Sequence, residues 1–292
     1  MTNQEKDKYI YSVLLSFTPV LITSTIYFLM SIVVNVSNFW WFLFTMLIFL
    51  SSNLASMITL NSIMIYKIYW RSALITNVFL VGYILAAQQS FPTLNTFGYY
   101  LMVLSFFHLS EFVFTALYNP KEVSTSSFLL NHSKEYAIAA FSSWSEFFIE
   151  AILFPTLKQN LYLRCIGLSL CLFGESFRKL AMYTAGKNFN HYVQETHHKE
   201  HVLVTKGVYR LVRHPSYFGW FYWSIGTQIL LANPICAILY TMVSWKFFKS
   251  RIIYEEYYLI KFFGSQYTAY QQKVASGVPF VKGYVLIDER LD

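Results

Sequence analysis

The chain has 292 residues, of which 55% are hydrophobic, 20% are aromatic and only 13% are charged. A soluble domain carries about 25% charged residues, so this composition argues against a soluble protein and indicates an integral membrane protein. The formal net charge is +7, but the cations gather in particular loops, which favours membrane topology over a nucleic-acid partner.

Long apolar runs recur along the whole sequence. Each is close to the roughly 20 residues that a helix needs to cross about 30 Å of hydrocarbon. The predicted spans are 10–34, 39–60, 73–90, 97–118, 136–157, 161–184, 215–231 and 234–252. They predict an all-α, polytopic integral membrane protein with about eight transmembrane helices that ends in a helical hairpin.

The loops between these runs alternate in charge. Those at 35–38, 91–96 and 232–234 contain no lysine or arginine, whereas the loops on the other side hold most of the cations. The positive-inside rule therefore predicts that both termini are cytosolic. The same side receives a larger segment at about 185–214 and the tail after residue 252. We predict one domain over 1–292, with N-terminal helices over 1–160 and a core over 161–292.

No metal site is expected. The three cysteines lie in apolar runs without a CxxC spacing, which is typical of buried free thiols. His197 and His201 have a four-residue spacing, but "HHKEH" is not the HExxH pattern of helical zinc sites. The glycines are too isolated for a dinucleotide-binding or phosphate-binding loop.

Six ionisable residues interrupt the predicted spans, where such side chains usually face the interior and have partners. They are His108, Glu111, Glu146, Glu150, Glu175 and Arg178. Glu146 and Glu150 share a helix face, which fits either pairing between helices or a polar floor beneath a site. Glu175 and Arg178 are three residues apart, near the cytosolic end of their span.

The final hairpin predicts where a site would lie. Pro215 suits the first turn of a helix, and the amides that begin this helix favour an anion. At about 1.5 Å per residue, the returning helix brings Arg251 back to the level of His214, with Glu255 one turn further on. Arg213 and Tyr217 lie at the same level. Such a cluster fits a belt of interfacial charge at the membrane surface. Carboxylates among the cations favour a functional site instead.

The residues around this cluster resemble a known family. "AGKNFNH" is followed by "HVLVTKGVYRLVRHPSYFGWFYWSIGTQILLANP", then by Arg251 with Glu255 and Glu256, and then by "FFGSQYTAYQQKVASGVPF". This block, from about Gly174 to Gly283, resembles isoprenylcysteine carboxyl methyltransferases, and the predicted eight spans agree with the animal members. "RHP-x-Y" alone also occurs in phospholipid N-methyltransferases and, in related form, in sterol reductases.

The resemblance implies a function. The methyl group of S-adenosylmethionine would pass to the α-carboxylate of a C-terminal S-prenylcysteine, leaving S-adenosylhomocysteine. The protein substrates would be of the CaaX type and carry a farnesyl or geranylgeranyl group. The family pattern assigns the carboxylate to Arg251, and Arg178 is a further candidate for substrate binding. It assigns the cofactor to Gln194, His201, Val202, Leu203, Val204, Tyr209, His214, Pro215, Ser216, Tyr217 and Glu255. Residence in the endoplasmic reticulum membrane, with a cytosolic active site, is also implied.

The chemistry agrees with this residue set. An α-carboxyl group has a pKa of about 3.5 and is already a nucleophile at neutral pH, so the reaction needs alignment and exclusion of water rather than a general base. An arginine fork matches a carboxylate. Two alternatives stay open: a phospholipid N-methyltransferase, which would recruit carboxylates such as Glu146, Glu150 and Glu255, and a non-catalytic membrane binding protein or transporter.

Overall fold

The structure, a computed structural model, describes residues 7–18, 38–60, 62–88, 91–130 and 134–285. All regular structure within these ranges is helical, as predicted. Helix α1 covers the described residues 7–18, so most of the first predicted span lies outside the described residues. The chain divides into two compact units, residues 1–141 with 147–160, and residues 142–146 with 161–292.

Within the described residues, the first unit consists of α1 and five further helices, of which α5 also contributes residues 142–146 to the second unit. These helices are α2 (Asn38–Thr59), α3 (Ile63–Ala86), α4 (Pro92–Tyr118), α5 (Lys134–Leu153) and the short α6 (Pro155–Lys158). Helices α3 and α4 pack backbone to backbone, because a Cβ atom on Gly82 would lie 2.8 Å from the carbonyl oxygen of Gly98. Small residues permit this close approach between apolar helices.

Buried polar side chains in the first unit have local partners. Lys158 is 1% exposed, and its Nζ lies 2.7 Å from Glu150 Oε2, while its carbonyl accepts a hydrogen bond from Thr96. His108 Nδ1 lies 2.8 Å from the Phe128 carbonyl oxygen, and Tyr136 contacts the other ring nitrogen. Glu150 therefore takes part in a structural ion pair rather than in a polar floor beneath a site.

The second unit, as far as residue 285, contains four main helices joined by irregular segments. They are α7 (Leu161–Ala185), α8 (Pro215–Leu230), α9 (Pro234–Phe263) and α10 (Ser265–Lys273). Helices α7 and α8 are in close contact along two glycine pairs with heptad spacing, Gly167 with Gly174 and Gly219 with Gly226. A Cβ atom on any of these would overlap atoms of the opposite helix, so the absence of side chains sets the distance between the two helices.

The turn between α8 and α9 is fixed by a carboxylate. Glu146 accepts hydrogen bonds from the amides of Ile235 and Cys236, both 2.7 Å long. Its charge therefore caps the first turn of α9, where unpaired amides and the helix dipole favour an anion. Nearby, Asn233 donates to the carbonyl oxygen of Ser143 at 2.8 Å. Glu146, like Glu150, thus has a structural partner, which confirms the pairing alternative.

Two helices extend beyond the apolar spans predicted for them. Helix α9 continues to Phe263, beyond the span 234–252, and α3 starts at Ile63, before the span 73–90. Hydropathy marks only apolar residues, whereas lysine, arginine and glutamate are good helix formers and extend a helix beyond its apolar part. Gly264, with φ of 52°, ends α9, because this left-handed backbone region favours glycine. The tail after 252 is therefore folded, with α10 inside it.

Two of the helices within the described ranges, α3 and α4, are long and apolar enough to cross a membrane on length and composition. The count of about eight spans, like the cytosolic placement of the loops, stays a prediction.

Candidate functional site

The hairpin of α8 and α9 brings the predicted residues together. Helix α8 begins at Pro215, as predicted. Tyr217, on its first turn, donates a 2.5 Å hydrogen bond to Glu255 Oε2 on α9, and His214 Nδ1 lies 4.0 Å from the same oxygen. The rings of His214 and Tyr217 are stacked with centroids 5.6 Å apart. The shared level of these residues, predicted from helix rise, is confirmed.

The Arg251 guanidinium donates hydrogen bonds to two oxygen atoms and has further N–H groups available. Its Nε donates to Tyr217 Oη at 3.3 Å, and its Nη2 donates to the His191 carbonyl oxygen at 2.9 Å. Its Nη1 has no hydrogen-bond partner in the described part of the chain. The guanidinium is thus oriented by its neighbours and can still offer an end-on pair of nitrogens to a carboxylate.

Residues 189–206 form an irregular segment that follows the C-terminal half of α9. Besides the bond from Arg251 to His191, Tyr254 donates a 2.5 Å hydrogen bond to Glu195. These two contacts flank Gln194, whose side chain donates to the Tyr192 carbonyl oxygen. Further along, the His197 ring lies 5.2 Å from that of Phe262. The segment therefore covers the end of the hairpin.

The next residues of this segment present backbone amides. Val202 donates to the Asn188 side chain at 2.9 Å, and its own side chain is 64% exposed. The amides of Leu203 and Val204 have no partner among the described residues. Buried or ligand-facing amides need acceptors, so this short extended stretch has the free donors that a polar ligand requires.

The remaining predicted residues lie on either side of the start of α8. Tyr209 accepts a hydrogen bond at its carbonyl from Tyr270, and burial and the charge of Glu255 raise the pKa of its phenol, so it stays a neutral donor. Ser216 accepts a 2.7 Å hydrogen bond from Arg178 Nη1. Arg178 also lies over the Trp220 ring at 4.6 Å. Glu175 pairs with Lys179 at 3.3 Å, a partner not foreseen from the spacing of Glu175 and Arg178.

The histidine cluster adds no helix-based ligand pair. His197, His198 and His201 lie in an irregular stretch rather than on a helix. Burial and the neighbouring charges of His198 and His197 lower the pKa of His201. His201 is therefore neutral at pH 7 and is able to accept or donate a hydrogen bond.

A second, fully buried cluster lies beside the first and was not predicted. It is centred on Glu256, which is 0% exposed. Six donors reach its carboxylate at 2.8–3.0 Å: Nε and Nη2 of Arg213, Nε2 of His214, Oη of Tyr267, Nε2 of Gln271 and the amide of Tyr284. Burial raises the pKa of Glu256, but the hydrogen bond from His214 and the charge of Arg213 more than offset this and lower it to about 2.

Arg213 is wholly engaged in this cluster. Besides Glu256, it donates to the carbonyl oxygens of Gln271 and Lys282 at 3.1 and 2.9 Å, and to that of Val274. The amides of Arg213 and His214 donate to the carbonyl oxygens of Ala275 and Ser276. Arg213 thus anchors the start of α8 to α10 and to the residues that follow it.

The sequence carried a signal for this cluster. Tyr267 and Gln271 are four residues apart, so they share one face of α10, and Gly283 follows them. A Cβ atom at Gly283, whose φ is 95°, would collide with the Glu256 carboxylate. The burial of Glu256 could not be inferred from its neighbour Glu255, however, because adjacent residues on a helix point in different directions.

The chain is similar to proteins of one family. The sequence profile of the isoprenylcysteine carboxyl methyltransferase (ICMT) family matches residues 165–261. A protein-S-isoprenylcysteine O-methyltransferase of Xenopus laevis is 53% identical over 75% of each chain. The enzyme of that name from Tribolium castaneum is 57% identical over 66% of this chain and 69% of its own. A solved structure, described as the eukaryotic intramembrane Ras methyltransferase ICMT, is 44% identical with a TM-score of 0.87, covering 96% of this chain and 99% of the other.

Proposed function

Since the chain belongs to the isoprenylcysteine carboxyl methyltransferase family, we propose that it is a membrane-embedded methyltransferase that esterifies the α-carboxylate of a C-terminal S-prenylcysteine. The observation that carries this proposal is the position of Arg251, which Tyr217 and the His191 carbonyl hold while its Nη1 stays available. A fixed guanidinium beside an interface is suited to a lipid-linked carboxylate.

The residues of the site suit this reaction without a general base. A carboxyl group with a pKa of about 3.5 is already ionised at neutral pH. Arg251 holds the anion in place and leaves one lone pair directed away from the guanidinium. Glu255 accepts the Tyr217 hydroxyl proton, so that the Tyr217 oxygen is turned towards Arg251 as an acceptor. Alignment of the nucleophile is then the main contribution of the protein.

The donor set fits S-adenosylmethionine. When bound, S-adenosylmethionine would supply an electrophilic methyl group on its sulfonium sulfur. The free amides of Leu203 and Val204 suit the polar atoms of adenine or the carboxylate, and Glu255 suits hydroxyls or the ammonium group. The rings of Tyr209 and Tyr217 offer π faces to a cation or to the base. We assign Gln194, His201, Val202, His214, Pro215 and Ser216 to the same site, and Arg178 to its substrate side through Ser216.

The substrate has one polar and one apolar end. Its prenyl group, farnesyl or geranylgeranyl, favours hydrocarbon and its carboxylate favours the interface, so a site at the cytosolic boundary of the membrane serves both. We propose that the prenyl group lies along the final hairpin. Location in the endoplasmic reticulum and CaaX-type protein substrates belong to the same proposal.

The alternative of phospholipid N-methylation is less well supported. It needs a carboxylate to receive a proton from the amine. Glu146 is bonded to two helix amides, Glu150 to Lys158 and Glu255 to Tyr217. The transporter alternative expects charges near the bilayer centre and broken helices, whereas this cluster lies at the cytosolic end of the hairpin.

One assay separates these functions. Purified protein in nanodiscs is mixed with methyl-labelled S-adenosylmethionine and either a farnesyl-cysteine derivative or phosphatidylethanolamine. We expect label on the prenylcysteine that is released by mild base, as an ester is. Base-stable label on the phosphatidylethanolamine would establish the N-methyltransferase instead, and transfer to neither acceptor would contradict both enzymes.

A further inference from the structure

The segment after α10 turns back along the final hairpin. Within this segment, residues 277–283, here called the C-terminal loop, pack through Val278 and Val281, which are 3% and 6% exposed, against a cluster that contains Phe221 and Phe248. Trp245 Nε1 donates a 2.7 Å hydrogen bond to the Pro279 carbonyl oxygen. The loop is therefore attached to both helices of the hairpin.

These attachments lie deeper than the candidate site. Trp245 precedes Arg251 by six residues, and Phe221 follows Pro215 by six, so each contact lies about 9 Å closer to the hairpin turn. If the site lies at the cytosolic boundary, as its proposed function requires, then the C-terminal loop descends from that level towards the bilayer.

Among the described residues of this unit, the most exposed large apolar side chain lies at the tip of this loop. Phe280 is 96% exposed and has φ of 62°, a left-handed conformation that is unfavourable for residues with a side chain. Folding alone gives no reason for an aromatic ring that is almost wholly exposed in such a conformation, so the strained residue points to a function.

The neighbouring charges indicate the partner. Lys246, Lys249 and Lys282 are exposed, and Lys249 Nζ lies 5.0 Å from the ring of Trp245. Aromatic rings with lysines beside them are typical of the boundary between headgroups and acyl chains, where the ring lies in the apolar zone and the ammonium groups reach phosphates. The lipid-facing surface of α9 continues into this patch, because Met242 and Val243 are 62% and 61% exposed.

We propose that the C-terminal loop is an interfacial membrane anchor. Phe280 inserts into the cytosolic leaflet at the depth of Trp245, and the lysines bind anionic phospholipid headgroups. The same chain segment binds Arg213 and His214 through the carbonyls of Ala275 and Ser276. The anchor thereby fixes the start of α8, and the site that it carries, at a set height relative to the lipid surface.

The test measures the depth of residue 280 directly. Phe280→Cys is made in full-length protein with the exposed Cys165 changed to alanine, spin-labelled, and placed in nanodiscs of phosphatidylcholine and phosphatidylserine. Two accessibilities of the spin label are measured: to oxygen, which concentrates in lipid, and to a nickel complex, which stays in water. The ratio of the first to the second is high for a label in lipid. Because the Phe280 side chain is almost wholly exposed, its replacement removes no packing, and an unchanged unfolding temperature verifies the fold.

Two matched positions calibrate the result. Val243→Cys, 61% exposed on α9, is the lipid reference, and Tyr192→Cys, 62% exposed in the irregular segment, is the water reference. We expect the accessibility ratio at residue 280 to lie nearer to that of Val243, and at least about ten-fold above that of Tyr192. A ratio nearer to Tyr192 on a logarithmic scale overturns the anchor, and neither result depends on whether the protein transfers a methyl group.

Discussion

Arg251 shows how a single guanidinium is prepared for a ligand. Tyr217 accepts from Nε and the His191 carbonyl accepts from Nη2, so the plane of the group is set by a helix and by the irregular segment together. The rotamer entropy of a long side chain is thus lost on folding rather than on binding.

The first prediction follows from this arrangement. Arg251→Lys replaces the planar guanidinium by a point charge. A lysine ammonium group cannot reproduce the hydrogen bonds to the Tyr217 hydroxyl and the His191 carbonyl and bind the substrate carboxylate as well. We expect kcat/KM for a farnesyl-cysteine substrate to fall by about 100-fold, roughly 2.7 kcal/mol of transition-state stabilisation, with an unchanged unfolding temperature. Arg210→Lys, at an exposed position of the same unit, is the control. Near-normal turnover of the Arg251 variant would remove this residue from the substrate site.

The second prediction concerns Glu256, which lies beyond the predicted span 234–252. Its pKa is lowered from 4.5 to about 2 in the folded protein, so it binds protons more weakly when folded than when unfolded. Its stabilisation is therefore complete above about pH 4.5 and is lost as the pH falls towards 2. A difference of this size corresponds to about 3 kcal/mol.

Glu256→Gln is accordingly expected to lower the free energy of unfolding by about that amount at pH 7, and by less than about half of that amount at pH 3. Thermal and denaturant unfolding in detergent between pH 3 and pH 7 measure this loss of stability. The exposed Glu200→Gln serves as the comparison. An equal loss at both pH values would show that the charge of Glu256 contributes nothing.

At the scale of elements, the contact between α7 and α8 is the part of the fold that tolerates least change. Gly174 and Gly219 approach so closely that each occupies the space of the other's missing side chain. The same contact brings Arg178 on α7 to Ser216 on α8, so the spacing of two helices determines where a charge of the site lies.

Gly219→Ala tests this contact. Alanine favours a helix over glycine by up to about 1 kcal/mol, but overlap with the backbone of α7 costs typically about 1–3 kcal/mol and sometimes more. We expect overlap to dominate and stability to fall. Ser176→Ala on the exposed face of α7 is expected to change stability by less than about 0.5 kcal/mol. Unfolding temperatures in detergent measure both, and a stabilised Gly219 variant would contradict the close contact.

At the scale of the whole molecule, the alternation of cationic loops predicts an even number of spans with both termini in the cytosol. Epitope tags at each terminus of the protein in sealed microsomes are expected to be digested by added protease. A protease site inserted in the 232–234 turn, on the opposite side, is expected to stay protected until detergent is added. Protection of only one terminal tag would require an odd number of spans.

The main features of this protein follow from local sequence. Apolar runs predict helices because a membrane demands internal hydrogen bonding, and a proline followed by an apolar run predicts where α8 begins. Because the rise of a helix is constant, residue counting was enough to bring His214, Tyr217, Arg251 and Glu255 together.

Other features depended on contacts between distant parts of the chain. The end of α9, the partners of Glu146 and Glu150, and the return of the C-terminal loop were not foreseen, because neither hydropathy nor residue spacing encodes which distant group meets a side chain. Glu256 is the clearest case. It is one residue from the predicted Glu255, yet tertiary packing buries it among six donors and leaves Glu255 at the site. Adjacent residues on a helix point in different directions, and only the packing of α8, α10 and the C-terminal loop decided which carboxylate stabilises the fold.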